Sequence, residues 1–376
     1  MFRTFLFVIV CMTLLVVPAM AQDTPAPVDQ TFFMTFVPNV QFAPIYVALE
    51  KGYLSAVGIN MTIEHGDENV GVELLATNQR QFGLISGEEV LKARANGRPV
   101  VSIYEWFQQY PVGIVYPLGQ GIESPADLQG RKVGIPGRFG ASYNGLTALL
   151  SANNLTEQDI QLESIGFNAA DVFCVGGVQA SVVYINNEPL QIQNRIDRGE
   201  CQGYSGVGVF RVADNADMVS NGLVTNEETI TNNPDLVRAM VSAWDQGVRD
   251  SIRNPAEAYL LSAAYVENLP MTDEFRSALE AAASAQSTFL EEASPVRAAV
   301  AESRAQLLAD LEAQFDADTL LQFRVLLNTI ELWDADQPGL ATLDSWQQTA
   351  DVLRAMGALE SEVDANTAFS NDFLPG

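Results

Sequence analysis

Residues 31–52 read TFFMTFVPNVQFAPIYVALEKG. Thr31–Val37 is apolar and β-prone, so it reads as a buried strand. Pro38 ends it, having no N–H to give to a sheet ladder. Asn39 to Phe42 makes a turn, and Ala43–Lys51 repeats apolar residues at helical spacing. Gly52 is a natural helix stop. In an open α/β sheet small ligands bind at the carboxyl ends of the strands. Asn39, Gln41 and Phe42 are therefore expected to face a cleft, with later strand tips supplying its other walls.

The same alternation continues. Strands are expected at 60–64, 81–85 and 100–103, with helices at 70–77 and 89–96. These βα units predict a mostly parallel, doubly wound sheet. Each tip carries chemistry. Glu68 and Asn69 lie in the polar turn 65–69, and Ser86 and Glu88 follow the next strand. YEWFQQY, residues 104–110, then brings Tyr104, Trp106, Phe107, Gln108 and Tyr110. Any one of these rings could as well be core. Four of them beside two glutamines at a strand tip favour a stacking site for a planar ring, where an offset stack adds about 0.5–1.5 kcal/mol.

Residues 111–116 read as a strand leaving the first domain. Ser124 to Asp127 forms a capping-box start. A strand at 131–135 runs into the Gly-rich turn PGRFGAS, then a helix at 143–152. Exposed N–H groups at such a turn suit an anion or a carbonyl oxygen. Arg138, Ser142 and Tyr143 are its candidates, but the spacing is neither Walker A nor a clean GxGxxG. Further strands at 160–165 and 180–185 end at Asn168 and at Asn186-Asn187-Glu188, the latter also readable as a polar turn. Strands at 207–212 and 218–224 complete the pattern. Crossings near 116–118 and 213–217 imply lobe 1 from 29–116 and 218–372, and lobe 2 from 117–217. Paired hinges of this kind close around ligands. From Asn233 six helices are expected, packed on the first lobe.

Composition bounds the function. A net charge of −27 argues against nucleic acid or an anionic membrane as partner. One histidine, His65, excludes a multi-histidine zinc site and leaves no ordinary Ser–His–Asp triad; it reads as a surface residue at a strand end. Arg3, the apolar run 5–17 and Ala19-Met20-Ala21 form a secretory signal peptide spanning 1–21. Cys174 and Cys201 remain in the mature chain, and a bridge between them is plausible in an oxidising compartment.

The motifs resemble a known family. Pro38, Asn39 and Tyr46, EKGY at 50–53, FGLISGEEVLKARANGRPVV from Phe82, DLQGRKVGIPG from Asp127 and NPDLVRAMVSAW from Asn233 are similar to extracytoplasmic substrate-binding proteins of ABC importers. The branch is the one related to fungal thiamine-pyrimidine synthases and bacterial pyrimidine-precursor binders. The PNVQFAPIYVA, SGEEV, EWFQ, GRFGASY and NNEPLQ stretches resemble riboflavin-binding components of riboflavin importers. The chain departs from pyrimidine binders, which carry Trp where Phe36 stands and His where Phe42 stands. It lacks the cysteine cluster and catalytic histidine of the fungal enzymes. The resemblance implies a two-lobed α/β periplasmic-binding-protein fold (type II) with a ligand cleft between the lobes and extra C-terminal helices. It implies a binder rather than an enzyme, with riboflavin as cargo, an aminopyrimidine as the alternative, and no cofactor or metal. Its partners are a planar ligand and an ABC permease, and the protein is expected to be a monomer.

Overall fold

Two five-stranded mixed sheets carry the molecule, one per lobe. The computed structural model describes residues 27–359 and 361–375. The expected signal peptide lies outside them. The first sheet has β1 (Val28–Thr35), β2 (Ile59–Gly66), β3 (Phe82–Ser86), β4 (Val100–Tyr104) and β10 (Asn221–Asn226), in the order β2-β1-β3-β10-β4. The second has β5 (Val112–Pro117), β6 (Lys132–Ile135), β7 (Gln161–Ser164), β8 (Ala180–Tyr184) and β9 (Val207–Arg211), in the order β7-β6-β8-β5-β9.

Each sheet holds one antiparallel strand, and those strands are the ones that follow the crossings. β5 pairs antiparallel with β8 and β9 after the chain leaves the first lobe. β10 pairs antiparallel with β3 and β4 after it returns. The strand read from sequence as leaving the first lobe therefore belongs to the second. The first crossing lies between Tyr104 and Val112 rather than at 116–118, since β5 finds its ladder partners only in the second sheet.

In the first lobe the helices are α1 (Ala43–Glu50), α2 (Tyr53–Ala56), α3 (Glu68–Ala76) and α4 (Gly87–Ala95). In the second they are α5 (Gly140–Ala152), α6 (Ala169–Cys174) and α7 (Glu188–Asp197). After β10 come α8 (Glu227–Asn232), α9 (Pro234–Arg253), α10 (Pro255–Ser262), α11 (Asp273–Ala293), α12 (Arg297–Glu312), α13 (Ala317–Trp333) and α14 (Leu343–Ala355). Gly52 stops α1 in the left-handed region at φ 72°. A short 3₁₀ turn, Val40–Phe42, joins β1 to α1, with Asn39 as its cap.

The C-terminal helices bury the outer face of α1. α9 crosses it so closely that a Cβ on Gly247 would collide with the Pro44 carbonyl. Phe32 and Trp244 stack at 5.7 Å within that core. The edge of β4 is covered by the chain's own tail, where Ser102 bridges Phe369 in parallel and donates its N–H to Ala368 O at 2.9 Å. That pairing occupies groups that would otherwise invite another strand.

In the second lobe a disulfide joins Cys174, at the end of α6, to Cys201, 27 residues on. Closing a loop of that length stabilises a fold by about 3 kcal/mol in the chain-entropy account. Replacing both cysteines by serine is expected to lower the second lobe's stability by that order. Denaturant unfolding under oxidising conditions measures it, and an unchanged midpoint would show that the bridge contributes nothing.

Candidate ligand-binding site

The cleft between the lobes is a pocket with about 870 Å³ of space free of protein atoms, open solvent at its mouth included. The first lobe lines it with Thr35, Phe36, Gln41, Phe42, Glu68, Leu84, Trp106, Phe107 and Asn221. The second contributes Pro136, Phe139 to Ser142, Gly166, Phe167, Ala169, Val182 to Tyr184 and Glu188. Rings thus stand on both sides. Phe36 and Phe167 meet edge-to-face across the cleft at 4.8 Å. Among the described residues no lysine or arginine lines the pocket.

Of the residues singled out from sequence, Phe42, Glu68, Trp106, Phe107, Ser142 and Glu188 lie at this pocket. Trp106 and Phe107 touch it from within the core. Trp106 is 2% exposed and packs against Trp244 at 5.5 Å and Trp333 at 5.1 Å. Phe107 meets Trp106 at 4.7 Å. They form the pocket's floor rather than free stacking plates.

The other candidates are spent elsewhere, and each for a local reason. Asn39 caps the 3₁₀ turn, its Oδ1 accepting the Gln41 N–H at 3.0 Å. Tyr104 points into the core and donates to Asp245 at 3.0 Å. Gln108 folds back onto the Glu105 carbonyl. Arg138 and Tyr143 both hold Glu157, at 2.7 and 2.9 Å. Asn168 is exposed and turns to Ile165 O. Asn69 is exposed on α3. Asn187 is buried against Glu188 and Gln191. Ser86 is buried beneath the site with its N–H turned to Glu68. Glu88 and Tyr110 bond each other at 2.5 Å, joining α4 to the second lobe.

Sequence reasoning missed several lining residues. Phe36, read as part of the strand, lies beyond it with φ 72°, a left-handed conformation costly for a non-glycine residue. His65 holds it there, Nδ1 lying 2.9 Å from the Phe36 carbonyl. The histidine is thus half-buried support for the pocket rather than a surface residue, and burial pulls its pKa down. Phe139 and Phe167 sit just past strands β6 and β7, so the strand-tip rule would have reached them. Tyr184, the last residue of β8, bonds Asn221 across the cleft at 2.6 Å. Gln41, singled out at the opening turn, lines the pocket and accepts from Asn186 of the second lobe at 2.8 Å; Asn186 also donates to Thr329 of α13 at 2.7 Å.

Three carboxylates set the electrostatics. Glu68, at the start of α3, is 6% exposed and accepts the Ser86 N–H at 2.5 Å and the Ala141 N–H of the other lobe at 3.1 Å. Burial, reinforced by the charge of Glu89, pushes its pKa up to about 7 against those bonds. Glu88, fully buried, is pushed up to about 8 by burial and by Glu68. Glu188 begins α7 and accepts the Tyr184 N–H at 2.9 Å; burial raises it to about 7. No group of three or more His, Cys, Asp or Glu among the described residues could hold a metal ion. The arrangement can receive hydrogen-bond donors and flat apolar surface, and it disfavours negative charge.

Comparison with known proteins places the chain. The family model described as NMT1/THI5 like matches residues 39–258. The chain belongs to the NMT1/THI5-like family. It is 32% identical over 366 residues to the riboflavin-binding protein RibY of Chloroflexus aurantiacus, covering 94% of this chain and 89% of that one. It is 25% identical to a formylaminopyrimidine-binding protein of Halalkalibacterium halodurans, over 68% of this chain and 76% of that one. The alkanesulfonate-binding protein SsuA of Xanthomonas axonopodis, solved with MOPS, superimposes with a TM-score of 0.58 at 14% identity, over 92% of this chain and 99% of that one. The fold is the two-lobed one of periplasmic binding proteins.

Two expectations follow. Trp106→Ala empties the Trp244–Trp333 cluster and is expected to cost about 3–5 kcal/mol of stability, read by denaturant unfolding; a loss under 1 kcal/mol would contradict the packing. The raised carboxylates set a pH dependence. Unfolded, these groups ionise near their ordinary value of 4.5; folded, they hold their protons to about 7 or 8. The folded state binds more protons between those limits, so their contribution is fully present below pH 4.5 and is lost as pH rises through 7 to 8. Melting temperatures at pH 5 should exceed those at pH 8.5, and Glu88→Gln should flatten the difference. Equal slopes in the two proteins would remove Glu88 from this account.

Proposed function

We propose that this protein is the extracytoplasmic substrate-binding component of an ABC importer and that its cargo is riboflavin. A binder rather than a catalyst is the plain reading: the RibY relative, alike over nearly the whole chain, is a binding protein, whereas the synthases of the family match over 61% of this chain at 25% identity or less. The pocket's chemistry supports a neutral, planar ligand rich in hydrogen-bond donors. Its rings offer apolar faces from both lobes, and its carboxylates and amides suit an imide edge and hydroxyl groups. The observation that carries riboflavin in particular is the reach of the likeness to RibY, which includes the C-terminal helices. Riboflavin is cargo here, not a cofactor. The Cys174–Cys201 bridge supports work in an oxidising compartment. The protein acts as a monomer that presents its loaded cleft to a permease.

A pyrimidine precursor of thiamine is the second reading, favoured by the likeness to the formylaminopyrimidine-binding protein. Titration separates the two. Riboflavin is expected to lose fluorescence on binding, one ligand per chain, through contact with the pocket's rings. No quenching, with heat released on adding an aminopyrimidine, would replace riboflavin by the second ligand. Phe167, 39% exposed at the cleft, tests the stacking wall. Phe167→Ala is expected to weaken riboflavin binding about 3- to 10-fold with an unchanged melting temperature. Wild-type affinity in that variant would remove Phe167 from the wall.

A further inference from the structure

Three helices of the second lobe begin at the pocket, and the two long ones among them are α5 and α7. A helix amino end offers unpaired N–H groups and the positive pole of the helix dipole, which together hold anions. Here both ends already carry a carboxylate supplied by the protein. Glu188 lies in the first turn of α7. Glu68 reaches across from the first lobe onto α5 and accepts the Ala141 N–H at 3.1 Å. The seat is tight. Gly140 sits at φ 65°, and a Cβ there would run into the Glu68 carboxylate. The Ser86 N–H, at 2.5 Å, fixes the other oxygen of the same group.

We propose that Glu68 is a specificity-determining residue that excludes phosphorylated ligands, by placing its own carboxylate where the amino end of α5 would hold a phosphate. A ligand with a free hydroxyl can donate to Glu68 or Glu188. The phosphate ester of the same ligand brings two negative charges against them. No lining lysine or arginine offsets that repulsion among the described residues. The pocket thereby separates the free vitamin from its phosphate ester although their ring systems are identical. For its probes this inference rests on the riboflavin reading.

The test compares riboflavin with riboflavin 5′-phosphate by flavin fluorescence at pH 8, where Glu68, raised to about 7, is largely ionised. The wild-type protein is expected to bind riboflavin at least about 30-fold more tightly than the ester. In Glu68→Ala the ratio should fall below about 3-fold, mainly through tighter binding of the ester to the freed N–H groups. Glu68→Gln, which keeps the side chain's length, serves if the alanine variant fails to fold as judged by its melt. Wild-type affinities within threefold of each other, or a ratio unmoved by either substitution, would overturn the proposal. If neither flavin binds, the riboflavin reading has failed on its own. The same comparison with hydroxymethyl-aminopyrimidine and its phosphate ester then decides the Glu68 inference, which falls if the ester binds as well as the alcohol.

Discussion

One carboxylate joins the two halves of the molecule at the wall of the pocket. Glu68 takes a backbone N–H from each lobe, Ser86 in one and Ala141 in the other. A buried acid is costly unless its oxygens are bonded, and here the bond to one of the two oxygens, from Ala141, exists only when the lobes face each other. The group therefore links the electrostatics of the pocket to the approach of its walls. Neighbouring contacts reinforce the seam. Asn144 of α5 donates to Glu89 of α4 at 2.8 Å, and Lys92 lies on the same oxygen. Asn194 of α7 and Arg198, just past its end, both hold Asp318 at the start of α13.

The lobes are alike in plan. Each sheet accepts one strand from the crossing chain, and that strand runs against its neighbours. This places the carboxyl ends of the parallel strands, and the helix beginnings that follow them, on the two sides of one cleft. The C-terminal helices then hold the first side in place. Trp244 of α9 and Trp333 of α13 press on Trp106, so the pocket's floor is rigid and its rim carries the adjustable rings. The buried pair Arg304–Asp334, at 2.7 Å, fixes the turn at the end of α13 that this packing requires.

Much of this plan was legible in the sequence, because hydrophobic period and turn chemistry are local. Alternating strands and helices, the Gly52 stop and the capping box at Ser124 all follow from neighbours in the chain. The side chains at the strand tips were not legible to the same degree. Which face of YEWFQQY looks into the cleft depends on the partners waiting on the other side. Tyr104 found Asp245 and Trp106 found two tryptophans from helices more than 130 residues away. The NNEPLQ stretch reads as a turn from its asparagines, yet Pro189 there sits in the first turn of α7, where a proline is at home. Phe36 was hidden for a different reason. Nothing in residue period announces a phenylalanine with positive φ, and the histidine that stabilises it is 29 residues away.

The route of the chain through the two lobes bears on how the molecule is made. The second lobe is a single continuous segment with its own sheet, core and disulfide. The first is assembled from both flanks: its sheet lacks an interior strand until β10 arrives, and its β4 edge lies bare until Phe369 does. For a chain emerging amino end first, the inserted lobe can reach its native form while its host is still waiting for partners. During that interval the unfinished sheet is the surface most prone to stray pairing, and Phe369, more than 260 residues downstream of β4, is what closes its edge.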